Sequence, residues 1–400
     1  MTLPLIVWKS LRQHALSTAV TALSIALAAG LLMAVWTVKE QSRATFSSAT
    51  GDFDGVLGAR GAKLQLVLNA VFHLEASPGN LAWADYEAIQ KDGRVALADP
   101  LAVGDNYRGY RLAGTTPEFF TRAGDQSGKK FSIAAGRFFD PTLREAVVGS
   151  FAAQRLGLRP GDKFHPFHGL TFDETKQHAE TYVVVGVLKP SNTPADRVIW
   201  IPLEGIQKMT GHAAETESDI SAVLVKLKSP AFGQQLDLQY NRQGNRLTFA
   251  WPIGRVLAEM FDKIGWFDQV LALVAYLVAL VAVGSVLASL YNSMNERRRE
   301  IAILRTLGAH RTTVFGAIVL ESAAITTLGV LTGFLIHAVI VFVVAGVLRA
   351  QTGVVLDPFA FSSVMLGAPA ALIALGALAG MVPAVKAYRV PVAENLTPMS

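Results

Sequence analysis

The chain has 400 residues, enough for two or three domains, with 51% apolar and only 17% charged residues, a balance shifted toward membrane insertion. It contains no cysteine, which excludes disulfides, thiol catalysis and thiolate metal sites. Its net charge of +5 traces to basic residues beside apolar runs, so topology explains it and nucleic-acid binding is not expected.

Lys9 and Arg12, in the segment 1–14, precede the first charge-free run, Ala15–Val38. That run exceeds the roughly 20 residues needed to cross a bilayer as a helix. The triplet Ala26-Leu27-Ala28 resembles a signal-peptide cleavage site, but apolar sequence continues to Val38, too far for a signal core. Residues 15–38 are therefore read as an uncleaved first transmembrane helix.

Residues 39–268 are polar and mixed in charge, about 230 residues and large enough for a core of their own. Strand patterns occur at Thr181–Leu188, Arg197–Pro202 and Ala222–Lys228, and helical patterns at Ala82–Gln90, Pro117–Ala123, Ser150–Leu156 and Pro202–Thr210. Their irregular alternation predicts an α+β domain, in two lobes. Turns are expected at Gly104-Asp105-Asn106, Arg159-Pro160-Gly161-Asp162 and Lys189-Pro190-Ser191-Asn192. Trp251–Trp266 reads as a helix entering the second span without a flexible linker.

Two polar stretches in this domain bear on chemistry. Gly124–Lys130 (GDQSGKK) has the wrong spacing for a phosphate-binding loop and lacks the following Ser or Thr, so no ATPase motif is expected in the chain. His165, His168 and His178, with Asp173 and Glu174 nearby, carry nitrogen and oxygen donors suited to zinc or a similar divalent ion. His73 with Glu75 could join them. The same residues also fit an exposed polar loop between strands.

Three further spans follow, at 269–295, 312–348 and 359–385. Between them lie a basic segment, 296–311, and a short loop, 349–358, with a tail at 386–400. Glu321 and His337 sit in the third span, where a charge is costly, so each is expected to face a partner helix or a cavity, either in an interhelical hydrogen bond or as part of a proton or substrate path. Gly329 and Gly333 in that span, and Gly376 and Gly380 in the fourth, have the spacing for close helix packing. Basic residues fall before the first span, between the second and third (Arg297, Arg298, Arg299, Arg305, Arg311) and after the fourth (Lys386, Arg389). The positive-inside rule then places both termini and the 296–311 segment in the cytoplasm, and the large domain outside it. The expected fold is a membrane protein of four transmembrane helices with a large extracytoplasmic α+β domain between helices one and two.

Asn292–Leu320 is the most informative stretch. Glu296–Leu307 has high helix propensity, with Ile301, Leu304 and Gly308 on one face, and Gly308 marks its end. On physics alone it fits either an interfacial helix on anionic lipid or a coupling helix that docks in a groove of a motor protein. The string ERRREIAILRTLGAHRTTVF resembles the signature loop of FtsX-like permeases. Val382–Leu396 (VPAVKAYRVPVAENL) resembles that family's C-terminal mark, with Ala393 an added residue before Glu394. Trp8-Lys9-Ser10-Leu11-Arg12 resembles its entry motif, and VVVGVLKP…RVIWIPL is similar to the MacB-type periplasmic core domain.

The resemblance implies the permease subunit of an ABC transporter in the bacterial inner membrane, paired as a homodimer with a separate cytoplasmic ATPase that binds ATP and Mg. No cofactor is expected in this chain itself. Glu300, Ile301, Leu304, Arg305, Leu307 and Gly308 would meet the motor, and its closure would move the outer domain to export or extract a substrate. Outer partners would be an adaptor, a lipoprotein or a hydrolase. The alternative is a signal transducer that activates a cell-wall hydrolase and transports nothing.

Overall fold

The computed structural model describes residues 3–48, 52–122, 130–210, 219–296, 302–303, 305–306, 308–357 and 359–388. The chain divides into two compact units. One comprises Met1–Gln41, Gly265–Ala345 and Asp357–Ser400, the other Ser42–Ile264 and Gly346–Leu356.

Among the described residues, four helices are long and apolar enough to cross a membrane: Ala15–Phe46, Gly265–Ser293, Arg311–Thr352 and Val364–Lys386. The first is part of an unbroken helix to Ser48, ten residues past Val38, because Lys39, Glu40, Gln41 and Arg43 are strong helix formers and nothing stops the turn. The third starts at Arg311 and ends at Thr352, where Gly353 takes φ 77. The fourth starts at Val364, five residues later than its apolar run. Asp357 holds a turn there, with Oδ1 accepting from the Phe359 amide at 2.9 Å and its carbonyl from Ala360 at 3.2 Å. Before the second span, the expected continuous helix is two: Ile253–Lys263, then Gly265–Glu296, with Ile264 between them.

Small residues set the packing of the spans. A Cβ on Gly329 would stand 2.6 Å from Ile25 Cβ and 2.8 Å from the Ala22 carbonyl, and one on Gly333 would stand 2.9 Å from Ala29 Cβ. The first and third spans therefore approach backbone to backbone, as a small-xxx-small seam allows. Gly376 likewise faces Thr326, and Gly380 faces Ser322, between the fourth and third spans. Ala275, Ala282, Val286 and Leu290 of the second span join Ala368 and Leu372 of the fourth in the same buried cluster.

The other unit is an α+β domain on one sheet. Its strands are β1 (Gly55–Ala59), β2 (Val95–Tyr107), β3 (Tyr110–Thr115), β4 (Ile133–Gly136), β5 (Glu145–Val148), β6 (Lys163–Phe164), β7 (Phe167–His168), β8 (Tyr182–Leu188), β9 (Ile199–Pro202), β10 (Ala222–Leu227) and β11 (Leu247–Ala250). The order is β11-β1-β10-β2-β3-β9-β5-β8-β4, with β6 on β8 and β7 on β2. The two expected lobes thus share a strand. The first half of β2, to Leu101, pairs with β10, and the second half, from Ala102, pairs with β3, with a register shift between Val103 and Asn106 in the latter pairing. Gly104-Asp105-Asn106, expected as a turn, lies inside this long strand, where Asp105 pairs with His168 of β7 and Asn106 with Phe167 of β7 and Arg111 of β3.

Alternation along the strands fills two cores. Leu57, Leu112, Val148, Ile199, Ile201 and Val223 face one, and Val56, Ala113, Val147, Trp200 and Leu224 the other. Helices Trp83–Gln90, Ser150–Leu156, Leu203–Gln207 and Ala231–Tyr240 cover the first face with Ile89, Ala152, Ile206 and Leu236. Helices Lys63–Ala70 and Ile253–Lys263 cover the second with Leu66, Val67, Val256 and Leu257. Covering on both faces explains why the strands read as near-continuous apolar runs.

Candidate functional site

Of the segment expected to meet a motor, Ala302, Ile303, Arg305 and Thr306 are helical. Gly308 closes the turn at φ 97, and its amide donates to the Arg305 carbonyl at 3.2 Å. Only a residue without Cβ takes that conformation at low cost, so Gly308 ends the helix as its position suggests. Ala302 is buried and Ile303 exposed. Glu300, Ile301, Leu304 and Leu307 lie outside the described residues.

Cations with aromatic partners gather where the third span begins and the fourth ends. The Arg311 guanidinium lies 5.6 Å from the Tyr388 ring centre, and the Lys386 ammonium 3.8 Å from that of Tyr291 on the second span. Glu321, buried in the third span, accepts a hydrogen bond from Ser10 Oγ in the helix Leu3–Gln13. Deeper along that span, buried His337 Nε2 shares a hydrogen bond with Thr37 Oγ1 at 3.2 Å. Both intramembrane groups thus meet a polar partner on another helix. Past the far end of the first run, Lys39 pairs with Asp268 at 3.6 Å, and Ser362 Oγ donates to Glu40 at 2.6 Å.

In the α+β unit, two of the three expected metal-ligating histidines come together, with a residue outside the original set. His168 stands directly across from Asp105 in the β2–β7 pair. His168 Nδ1 is 3.4 Å, and His178 Nε2 3.2 Å, from Asp105 Oδ1. Potential ligand atoms of all three lie within 4.8 Å of one another. His165 points elsewhere, its Nδ1 3.1 Å from the Glu180 carbonyl. Asp173 caps the turn Glu174–Lys176, and its hydrogen bonds from the Thr175 hydroxyl and amide hold its carboxyl below the usual range. Sequence spacing could not supply Asp105, which lies 63 positions from His168 and meets it only through strand register.

The backbone around this cluster is closely held. Asn106 Nδ2 donates to the carbonyls of Gly169 at 2.9 Å and Thr171 at 3.2 Å, and Asn106 Oδ1 accepts from the Gly109 amide at 3.0 Å. The His178 amide donates to the Pro166 carbonyl at 2.9 Å. Glu180 accepts from the Thr210 amide at 3.0 Å and from its hydroxyl. Burial pushes the Glu180 carboxyl up, but those two bonds outweigh it and leave the group below its ordinary value.

His73, the other histidine considered, belongs to a separate cleft of about 180 Å³ with Arg111 and Arg197. Its ring packs edge-on to Trp200 at 5.5 Å. Burial first, then the charges of Arg111 and Arg197, pull it down to about 3.

Four apolar helices among the described residues, with a large α+β domain in sequence between the first and second, fit a multi-pass membrane protein. The chain matches the family model of the MacB-like periplasmic core domain over residues 15–236, and that of the FtsX-like permease C-terminal region over residues 272–392. It belongs to the FtsX/MacB-type ABC permease family. Among solved structures it is similar to the periplasmic region of MacB from Actinobacillus actinomycetemcomitans, at 14% identity and TM-score 0.34, over 53% of this chain and 94% of that one. It is also similar to the extracellular domain of the noncanonic ABC-type transporter YknZ from Gram-positive bacteria, at 17% identity and TM-score 0.31, over 48% of this chain and 97% of that one. No curated protein matches.

Proposed function

We propose that this chain is the permease subunit of a bacterial inner-membrane complex driven by a separate cytoplasmic ATPase, which binds the ATP and Mg. Two copies of the chain pair with two motors. The motors press on the 296–311 segment, and the outer domain moves in response to export or extract a substrate. The observation that carries this reading is the pair of family matches, which together take in all four spans, the segment between the second and third, and most of the α+β domain. Charge supports the orientation: the flanks of the spans that would face the cytoplasm carry Lys9, Arg12, Arg297–Arg299, Arg305, Arg311, Lys386 and Arg389. The sequence of 296–311 mixes apolar and charged residues in the pattern of a helix that docks in a groove, which favours force as the signal passed.

Two measurements test it. Copurification with an ABC ATPase should succeed for the natural chain and fail for Leu304→Asp or Arg305→Glu. The absence of cysteine allows clean topology labelling. A cysteine placed at Arg298 should react only from the cytoplasm, and one at Asp162 only from outside. Reaction of both from one side would remove the route for force. Stimulation of the ATPase by a protein partner alone, with no substrate, would turn the reading to signal transduction.

A further inference from the structure

The Asp105, His168 and His178 cluster goes beyond the transport reading and does not depend on it. A backbone carbonyl only accepts, so the 2.8 Å contact between His178 Nδ1 and the Thr210 carbonyl fixes a proton on Nδ1. In a neutral imidazole the other nitrogen, Nε2, then carries a lone pair. That nitrogen faces Asp105 Oδ1 at 3.2 Å, and Asp105 is wholly buried on β2. A lone pair and a carboxylate oxygen facing each other away from water call for a positive centre between them, which either a second ring proton or a metal ion supplies. His168 Nδ1 converges on the same oxygen at 3.4 Å.

We propose that Asp105, His168 and His178 bind a zinc-type divalent metal ion, with one coordination position left open. The spacing fits. Donor atoms about 2.0–2.1 Å from a tetrahedral ion stand roughly 3.3 Å apart, and two of the three separations here are 3.2 and 3.4 Å. Two imidazoles and a carboxylate suit zinc and its first-row neighbours, whereas calcium and magnesium select sites rich in oxygen.

The supports around a metal site are also present. The Thr210 carbonyl orients His178 through its second ring nitrogen, as an outer partner of a ligating histidine does. Cross-strand pairing fixes Asp105 against His168, and Asn106 clamps the loop that follows β7. His178 and Asp105 are buried, while half of the His168 side chain is open to solvent, which gives the ion a way in. Three protein ligands leave the fourth position to a water or another small ligand, unlike a closed four-ligand structural site.

The test uses the full chain in detergent micelles, stripped of metal by a chelator and titrated with zinc chloride against a chromophoric zinc chelator. The natural chain should hold one zinc that His168→Ala binds at least tenfold more weakly. His165→Ala should bind as the natural chain does. Because His168 is half-exposed, the metal-free His168→Ala chain should unfold at the natural chain's temperature, and a given zinc concentration should raise that temperature less in His168→Ala than in the natural chain. X-ray absorption of the zinc-loaded natural chain should give a shell of two imidazole nitrogens plus oxygen, a readout that needs no variant. Equal zinc affinity in the natural and His168→Ala chains overturns the proposal, as does a zinc shell without imidazole. Neither result would touch copurification with the ATPase, so the two readings fail separately.

Discussion

Replacing His73 with Asn should flatten the acid sensitivity of the α+β unit. His73 is buried, held at φ 54, and among the described residues its Nδ1 finds no hydrogen-bond partner. Burial, followed by the charges of Arg111 and Arg197, lowers its pKa from 6.5 to about 3. The unfolded chain therefore takes up a proton near pH 6.5 that the folded chain refuses until about pH 3, so stability rises with pH across that window and is lost as pH falls through it. At about 1.4 kcal/mol per pH unit, His73 alone removes roughly 2 kcal/mol between pH 7.5 and pH 5, and at most roughly 5 kcal/mol near pH 3. Asn tolerates the left-handed backbone and does not titrate, so His73→Asn keeps the turn and removes the proton. The edge-on contact with Trp200 is lost at every pH, which lowers the baseline without changing the slope. Urea unfolding of the full chain in micelles, followed by tryptophan fluorescence at pH 7.5 and pH 5, gives both numbers. Equal losses in the two chains would mean that His73 does not carry a suppressed proton and that the reasoning is wrong.

The seam between the first and third spans gives a second expectation. Gly329→Ala forces a Cβ toward the Ala22 carbonyl, which cannot rotate away, and should cost about 1–3 kcal/mol, read as a lower unfolding temperature in detergent. Gly316→Ala, with open space at its Cβ, should leave that temperature nearly unchanged. Asp196 is buried and accepts hydrogen bonds from the Ser191 amide at 2.9 Å and hydroxyl at 2.8 Å, and from the Asn192 amide at 2.9 Å. Asp196→Ala strands those donors and should destabilise by roughly 3 kcal/mol in urea unfolding, with Asp196→Asn between it and the natural chain. Burial pushes the Asp196 carboxyl up against those hydrogen bonds, so its contribution should fall as pH rises above the ordinary aspartate range rather than grow.

The parts legible in the sequence are those set by neighbours along the chain. Each span is an apolar run that needs no tertiary partner to be seen, and helix Ser150–Leu156 stands where its pattern placed it. Gly329 and Gly333 announced a close approach, though not that Ala22, Ile25 and Ala29 would receive it. Span ends were less legible, because hydropathy falls at Val38 while helix propensity carries the backbone on to Ser48. Asp105 was beyond reach. Its own neighbours, Gly104 and Asn106, read as a turn, and only register with β7 sets it beside His168. The arginine cleft around His73 was hidden for the same reason, since Arg111 and Arg197 reach it from β3 and from the turn before β9.

The contacts among the spans limit how the proposed mechanism can work. The first and third spans touch through glycine at two successive turns and share the His337–Thr37 hydrogen bond, while Ser10 ties the N-terminal helix to Glu321 of the third. The third and fourth touch at Gly376–Thr326 and Gly380–Ser322, with Ser322 Oγ donating to the Gly376 carbonyl at 2.5 Å. Backbone-close seams do not slide by small steps, because a knob must climb out of its hole before it can enter the next. The 296–311 segment lies between the second and third spans in sequence, so a push on it reaches the third span directly. That span cannot shift alone without breaking two seams and a buried carboxylate contact. Under the proposed mechanism these contacts favour motion of the first, third and fourth spans as one body, with the second span, which shares their buried cluster, carried along.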